Sequence, residues 1–237
     1  MEEKLNGIVL GGVSYGDNDK ILNIFTLEKG KVSARIKGVK KASAKLKFAA
    51  EPFCFAEFVF LVSGDKRTVK TASLIESFYP VREDIVKFFC AATVLEFVKK
   101  FFRENITDSE MFVLVLDALK KIAYGNSPKK ELLAFLIFAL KEVGYALKLD
   151  GCFACEKDIE VKPYFDYNVG GFFCENCFMG VGREINIKTY LALKAVSEEK
   201  DILEEDATLG LRLIDYYISN KAEEKMVALE ELIRQKL

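Results

Sequence analysis

The sequence contains no histidine. Histidine is the usual general base and the commonest metal ligand near neutral pH, so Ser-His-Asp and Cys-His catalytic arrangements are excluded at once. Tryptophan is absent as well, although phenylalanine is abundant at 20. Long hydrophobic runs are also missing. The longest, Leu132 to Leu140, is far shorter than the roughly 20 residues that span a bilayer. Met1 to Asn6 is charged, and Gly7 to Val13 is too short and glycine-rich for a signal core. These absences predict a soluble cytoplasmic protein with no membrane partner.

What is present suits a folded chain. Hydrophobic residues make up 51% of 237, enough to bury a core in one large domain or two small ones. The net charge of −1 conceals an asymmetry. Residues 1–80 hold thirteen Lys and Arg against nine Asp and Glu, whereas residues 81–237 hold 22 against 27. The two parts therefore face different partners.

The first eighty residues read as five short strands: Leu5 to Tyr15, Lys20 to Glu28, Lys31 to Gly38, Phe53 to Val62 and Arg67 to Ser77. Lys31 to Gly38 alternates cleanly, with Val32, Ala34 and Ile36 on one face and Lys31, Ser33, Arg35 and Lys37 on the other. Phe53 to Val62 is apolar on both faces apart from Glu57, which suits a strand inside a core. Five such strands predict a small closed barrel of the OB type, although an SH3-like barrel reads similarly.

After Tyr79-Pro80 the period becomes helical. Ile85, Phe88, Phe89, Ala92 and Leu95 form one stripe. Asp108 or Ser109 caps a second helix to Tyr124. Ser127-Pro128 opens a third, running to about Ala146 and apolar nearly all round, the expected centre of the helical part. Further helices are predicted at Ile187 to Val196, Thr208 to Ile218 and Ala222 to Leu237. The fold class is therefore α+β: a five-stranded OB-type barrel over 1–80, then a helical domain over 81–237 with a cysteine loop at 150–180.

Cys152, Cys155, Cys174 and Cys177 stand as C-x2-C-x18-C-x2-C, a zinc-site spacing. Two knuckles of two thiolates complete a tetrahedron and leave no open position for water, so a structural Zn2+ is expected rather than a catalytic one. Two disulfides, or an iron–sulfur cluster on the same ligands, are the competing readings. Cys54 and Cys90 lie in apolar stretches and read as buried small hydrophobes.

From Lys29 to Lys47 there are eight basic residues and no acidic one. Lys31, Arg35, Lys37, Lys40, Lys41, Lys45 and Lys47 are the candidate DNA contacts, because a phosphate backbone releases counterions to such a field. The bland alternative is a solvated strand face. Tyr15 and Phe48 are the nearest aromatics in sequence, and contact to the backbone without base readout is expected.

In chain order, these segments resemble the bacterial recombination mediator family RecO. Tyr15-Gly16-Asp17-Asn18-Asp19-Lys20-Ile21-Leu22 is similar to the family's YGE-x-DKIL turn and strand, followed at family spacing by Phe25-Thr26 and Gly30-Lys31. Lys37-Gly38-Val39-Lys40-Lys41 resembles its KG-x-R/K segment, and Glu76-Ser77-Phe78 precedes the helical part. Gly144-Tyr145 and Leu149-Asp150-Gly151-Cys152 lead into the cysteine loop, and Gly170-Gly171 precedes Cys174. The resemblance implies binding of single- and double-stranded DNA, annealing of complementary strands, and help in loading RecA onto DNA coated by single-strand-binding protein (SSB). It implies RecR and the SSB C-terminal tail as partners, nucleoid association, and no enzymatic activity.

The chain departs from that pattern in two places. Gly11-Gly12 stand where many members carry Arg, and residues 198–237 hold eleven acids against six bases where the family often ends basic. Lys141, Lys148 and Arg183 are the substitutes available for the SSB tail. The competing function is a zinc-ribbon adaptor in transcription or RNA handling. A metal-dependent nuclease lacks an open carboxylate or histidine site.

Overall fold

A computed structural model describes residues 1–235, so Lys236 and Leu237, at the end of the last expected helix, lie outside the described residues. Five strands form a closed barrel: β1 (Glu2–Tyr15), β2 (Asp19–Thr26), β3 (Gly30–Ile36), β4 (Phe55–Ser63) and β5 (Lys66–Glu76). Their order around the barrel is β1-β2-β3-β5-β4, and β4 pairs back to β1. The barrel is OB-like: the first three strands meander, and β5 returns parallel to β3, where Arg35 pairs with Thr68.

β1 serves two neighbours because it is long and bent. Glu2 to Ile8 pairs with β4, and Gly7 to Tyr15 pairs with β2. The bend is a bulge between Val9 and Gly11, where Gly11 takes φ 147°, a conformation costly for any other residue. The alternation of β3 is realised: Val32, Ala34 and Ile36 are buried with Leu5, Val9, Leu22, Ile24, Phe58, Phe60 and Val69. A 3-10 turn at Phe48–Ala50 lays Ala49 and Ala50 against this core. β4 is less two-sided than its composition suggests. Ala56, Phe58 and Phe60 are buried, whereas Phe55, Glu57 and Val59 are half-covered and Leu61 is exposed.

Two compact units divide the chain, and the barrel unit is not contiguous. It comprises Met1–Arg82 and Leu95–Asp117. The second stretch holds the end of α1 (Ile85–Phe101) and the start of α2 (Ser109–Tyr124), whose N-terminus Asp108 caps by accepting from Met111 N at 2.8 Å. Phe102 and Phe112 pack against Phe25 at 5.9 and 5.6 Å between ring centroids, covering the outer side of β2. Asn105 N donates to the Lys31 carbonyl at 2.9 Å, so the chain runs directly along β3. Gly30 makes this approach possible. It takes φ 64°, and a Cβ on it would fall 1.8 Å from the Ile106 carbonyl oxygen.

The other unit comprises Glu83–Val94 and the chain from Ala118 onward. Here α3 (Pro128–Glu142) packs on α4 (Ile187–Ser197) and α5 (Glu204–Tyr217), and Leu132, Leu133, Leu136, Ala139 and Leu140 are buried. Gly210 of α5 admits Leu133 so closely that a Cβ would lie 2.7 Å from a Leu133 methyl. α3 stops four residues short of its expected end, because Gly144 takes φ 84° and Tyr145 N returns to the Leu140 carbonyl at 2.7 Å. α5 starts earlier than expected, with Glu204, Glu205 and Asp206 favourably placed in its first turn. The last helix begins only at Val227 (α6, Val227–Arg234), since Ile218–Ala222 is a π turn ended by Glu223 at φ 57°. A four-stranded sheet completes this unit in the order β6-β8-β7-β9: β6 (Lys148–Cys152), β7 (Tyr164–Asp166), β8 (Gly171–Phe173) and β9 (Arg183–Glu184). Phe165 and Phe172 dock it against Tyr217 and Tyr190. No helix among the described residues is long and apolar enough to cross a membrane.

Candidate nucleic-acid interface and metal centre

The four cysteines meet. Cys152 ends β6, Cys174 follows β8 directly, and these two strands are parallel neighbours with Cys152 opposite Phe172. Each knuckle then turns back on itself: Glu156 N donates to the Cys152 carbonyl at 2.8 Å, and Cys177 N to the Cys174 carbonyl at 3.1 Å. The four sulfur atoms lie within 4.8 Å of one another, and Cys155 and Cys174 Sγ are 3.9 Å apart. A tetrahedron with metal–sulfur bonds of about 2.3 Å has an edge of about 3.8 Å, so the donor set fits a single soft cation. None of the six cysteines is in a disulfide, and Cys54 and Cys90 are buried as expected.

The electrostatics of the four thiols also fit a cation. Burial pushes the Cys152 thiol up, but backbone N–H groups of Cys174, Cys155 and Ala154 more than offset it and bring it down to about 6. Cys177 is pushed up to about 12 by its hydrogen bonds to Cys174 and Cys155 and by burial. Four thiols this close cannot all ionise without a positive ion between them.

The seven basic candidates divide. Lys37, Lys40, Lys41, Lys45 and Lys47 are exposed. Lys31 is half-buried and donates to the Lys99 carbonyl at 2.7 Å, and burial lowers its pKa despite Glu104 nearby. Arg35 is held by Asp19, with Nε 2.7 Å and a terminal guanidinium nitrogen 2.5 Å from Oδ2. The same carboxylate accepts from Gly38 N at 2.7 Å, and these two bonds, Gly38 first, hold Asp19 below its usual pKa. Lys40 N donates to the Asn18 carbonyl at 3.0 Å. Asp19 thus ties the 37–41 loop onto the β1–β2 turn, and the exposed lysines are presented from a fixed loop.

Barrel closure brings up two residues that linear reading did not place on this face. The pairing of Arg35 with Thr68 sets Lys66, exposed, beside β3. Tyr15 lies under the Arg35 guanidinium, 4.9 Å from Cζ to the ring centroid. Phe48, its alternative in sequence, packs against the barrel core instead. No short-range pattern marks Lys66; only the β3–β5 contact does. In the other unit, Lys141 lies in the last turn of α3, Lys148 opens β6, and Arg183 stacks on Tyr216 at 4.1 Å.

A closed OB-like barrel with a cationic outer loop, followed by helices that carry a four-thiol cluster, defines a two-part α+β protein. Sequence comparison identifies the family. The model for "Recombination protein O N terminal" matches residues 1–78, and that for "Recombination protein O C terminal" matches residues 82–230. Curated relatives include the DNA repair protein RecO of Acetivibrio thermocellus, 33% identical over 175 residues (73% of this chain, 70% of the relative). RecO of Anaeromyxobacter sp. strain K is 31% identical over 185 residues (77% and 73%), and that of Bacillus pumilus 30% over 175 (74% and 68%). The chain belongs to the RecO family of DNA repair proteins.

Proposed function

We propose that this protein is a recombination mediator that binds single- and double-stranded DNA through its barrel and anneals complementary strands. In the same reading it assists RecA loading onto SSB-coated single strands together with RecR, and it engages the SSB C-terminal tail. Residues 1–80 supply the DNA-binding domain, and residues 81–237 carry one structural Zn2+ on Cys152, Cys155, Cys174 and Cys177. No residue has a catalytic role, and the protein works in the cytoplasm on the nucleoid.

One observation carries the reading: Lys37, Lys40, Lys41, Lys45 and Lys47 are all exposed on one loop, which Asp19 fastens to the barrel. Exposed ammonium groups on a fixed loop suit phosphates, which take charge without demanding sequence. Lys31 and Arg35, engaged by Lys99 and Asp19, act as supports and add less. Single-ion coordination suits the thiols better than a cluster, because a cluster interposes several irons and holds its thiolates on separate corners.

The decisive test reverses Lys37, Lys40 and Lys41 to Glu together. In a shift assay the triple variant loses binding at moderate salt, and any residual log–log salt slope on single strands falls by about 2. Strand annealing falls with it. Unchanged affinity of the triple variant would remove the assignment, and a wild type that binds DNA but does not anneal complementary strands would favour an adaptor role.

A further inference from the structure

Tyr15 has no place in the barrel core, yet its ring is packed against a neighbouring side chain. It is the last residue of β1 and remains 48% exposed, on the outer face shared by Val13, 63% exposed. Across the ladder Val13 faces Ile21, and Ile21 faces Arg35. Towards Phe25 this face is covered by Phe102 and Phe112; towards the β1–β2 turn it is open. The open part borders a groove of about 340 Å³ lined by Tyr15, Ile21, Ala34, Arg35, Lys66 and Thr68.

Arg35 covers one face of the Tyr15 ring, and Asp19 pins Arg35 there through Nε and a terminal nitrogen. A ring with a guanidinium on one side and nearly half of its surface exposed presents its other side to solvent. An exposed aromatic beside an exposed Val13 and a half-buried Ile21 is a poor surface cluster on its own account. Lys66 lines the groove together with Asp65, and Lys37 and Lys40 stand by the β1–β2 turn, Lys37 near Asp19 and Lys40 Nζ donating to the Gly16 carbonyl at 3.3 Å; all four side chains are exposed. Arg67, also beside the groove, is committed to Glu3 at 2.8 Å. An apolar, aromatic floor with a cationic rim is complementary to a polyanion that can present flat apolar faces.

We propose that Tyr15 is a base-stacking subsite for single-stranded DNA: one unpaired base lies on the free face of the ring, with its flanking phosphates at Lys37, Lys40 and Lys66. This deepens the DNA-binding reading above and rests on it. The bases of a duplex are stacked on one another and offer no free face, so the subsite discriminates single strands from duplex, whereas the lysine loop serves both. Stacking is sequence-tolerant, because every base has a π-face.

The test compares wild type, Tyr15→Leu and Tyr15→Phe by fluorescence anisotropy. The probes are an oligo(dT), the same strand with abasic sites, and a duplex of equal length. Tyr15→Leu keeps apolar bulk and strand propensity, and an unchanged melting temperature verifies its fold. The expected result is a loss of roughly 10- to 100-fold on oligo(dT) with duplex affinity unchanged, while Tyr15→Phe binds as wild type. The abasic strand binds wild type as weakly as oligo(dT) binds Tyr15→Leu. Equal losses on strand and duplex, or no loss on either, overturn the subsite and leave the lysine loop standing. Failure of wild type to bind any probe at low salt overturns the DNA-binding reading itself, and the subsite with it.

Discussion

The barrel and the cysteine sheet solve one problem in two ways. The barrel has long strands, a closed ladder and a core of interlocking aliphatic and aromatic side chains, so its outer loops are free to carry charge. The cysteine sheet has three strands of two or three residues, and its only sizeable buried side chains are a few such as Leu149, Phe165 and Phe172 among the residues described. Too little apolar area is buried there to offset the entropy of ordering about thirty residues. Four sulfurs converging on one point are placed to supply the missing cross-link through a shared cation, and thiols used in that way would not be available for chemistry. Stability from a core leaves a surface for function; stability from a metal, as proposed for the thiols, would tie up the residues that otherwise react.

The largest effect should come from breaking the cysteine side of this contrast. Wild-type protein is expected to carry one zinc per chain by elemental analysis, and Cys155→Ser with Cys174→Ser to carry none. The loss should destabilise the helical unit by about 5 kcal/mol or more in urea, with the shift of duplex-binding affinity small by comparison. Zinc-free wild type that melts identically with and without chelator would abolish the contrast.

On the barrel side, Gly30→Ala should cost about 3 kcal/mol or more, because its Cβ would overlap the Ile106 carbonyl. Gly16→Ala is the control: it takes φ 60° with nothing within 4 Å of the added carbon, so only the backbone penalty of about 1–2 kcal/mol applies. Equal denaturation midpoints for the two variants would show that the Leu95–Asp117 stretch does not bear on β3.

The smallest effect concerns Asp19. Its folded pKa lies below the usual 3.8, so its contribution is complete above that value and is lost as pH falls through the lower, folded one. The Gly38 amide resonance should therefore titrate with a midpoint below 3.8, and Asp19→Asn should abolish that titration. A midpoint above 3.8 would mean that the carboxylate does not hold the loop.

Much of this organisation is legible in the order of residues alone. The alternation of Val32, Ala34 and Ile36 gives away the inner face of β3, and the C-x2-C spacing gives away the thiol cluster, since both are local patterns. The fate of each cation is not local. Lys31 and Arg35 look identical to Lys37 in sequence, but one is captured by a carbonyl 68 residues away and the other by Asp19. Lys66 joins the face only because the barrel closes at Arg35 and Thr68. Helix ends escape the periodicity where a single backbone rotation decides them, as at Gly144 and Glu223.

The interrupted make-up of the barrel unit has a practical corollary for dissecting the molecule. Its two pieces, Met1–Arg82 and Leu95–Asp117, are separated by a stretch that belongs to the other unit. No single scission can release the barrel whole. A fragment ended near residue 80 would uncover Phe25, now fully buried beneath Phe102 and Phe112, and would leave the open Lys31 edge without its neighbour. Such a piece is a poor proxy for the native outer face of the barrel, prone to stick to itself through the very strands it was cut to display. Point substitutions in the intact chain report on that face where truncation reports on its damage.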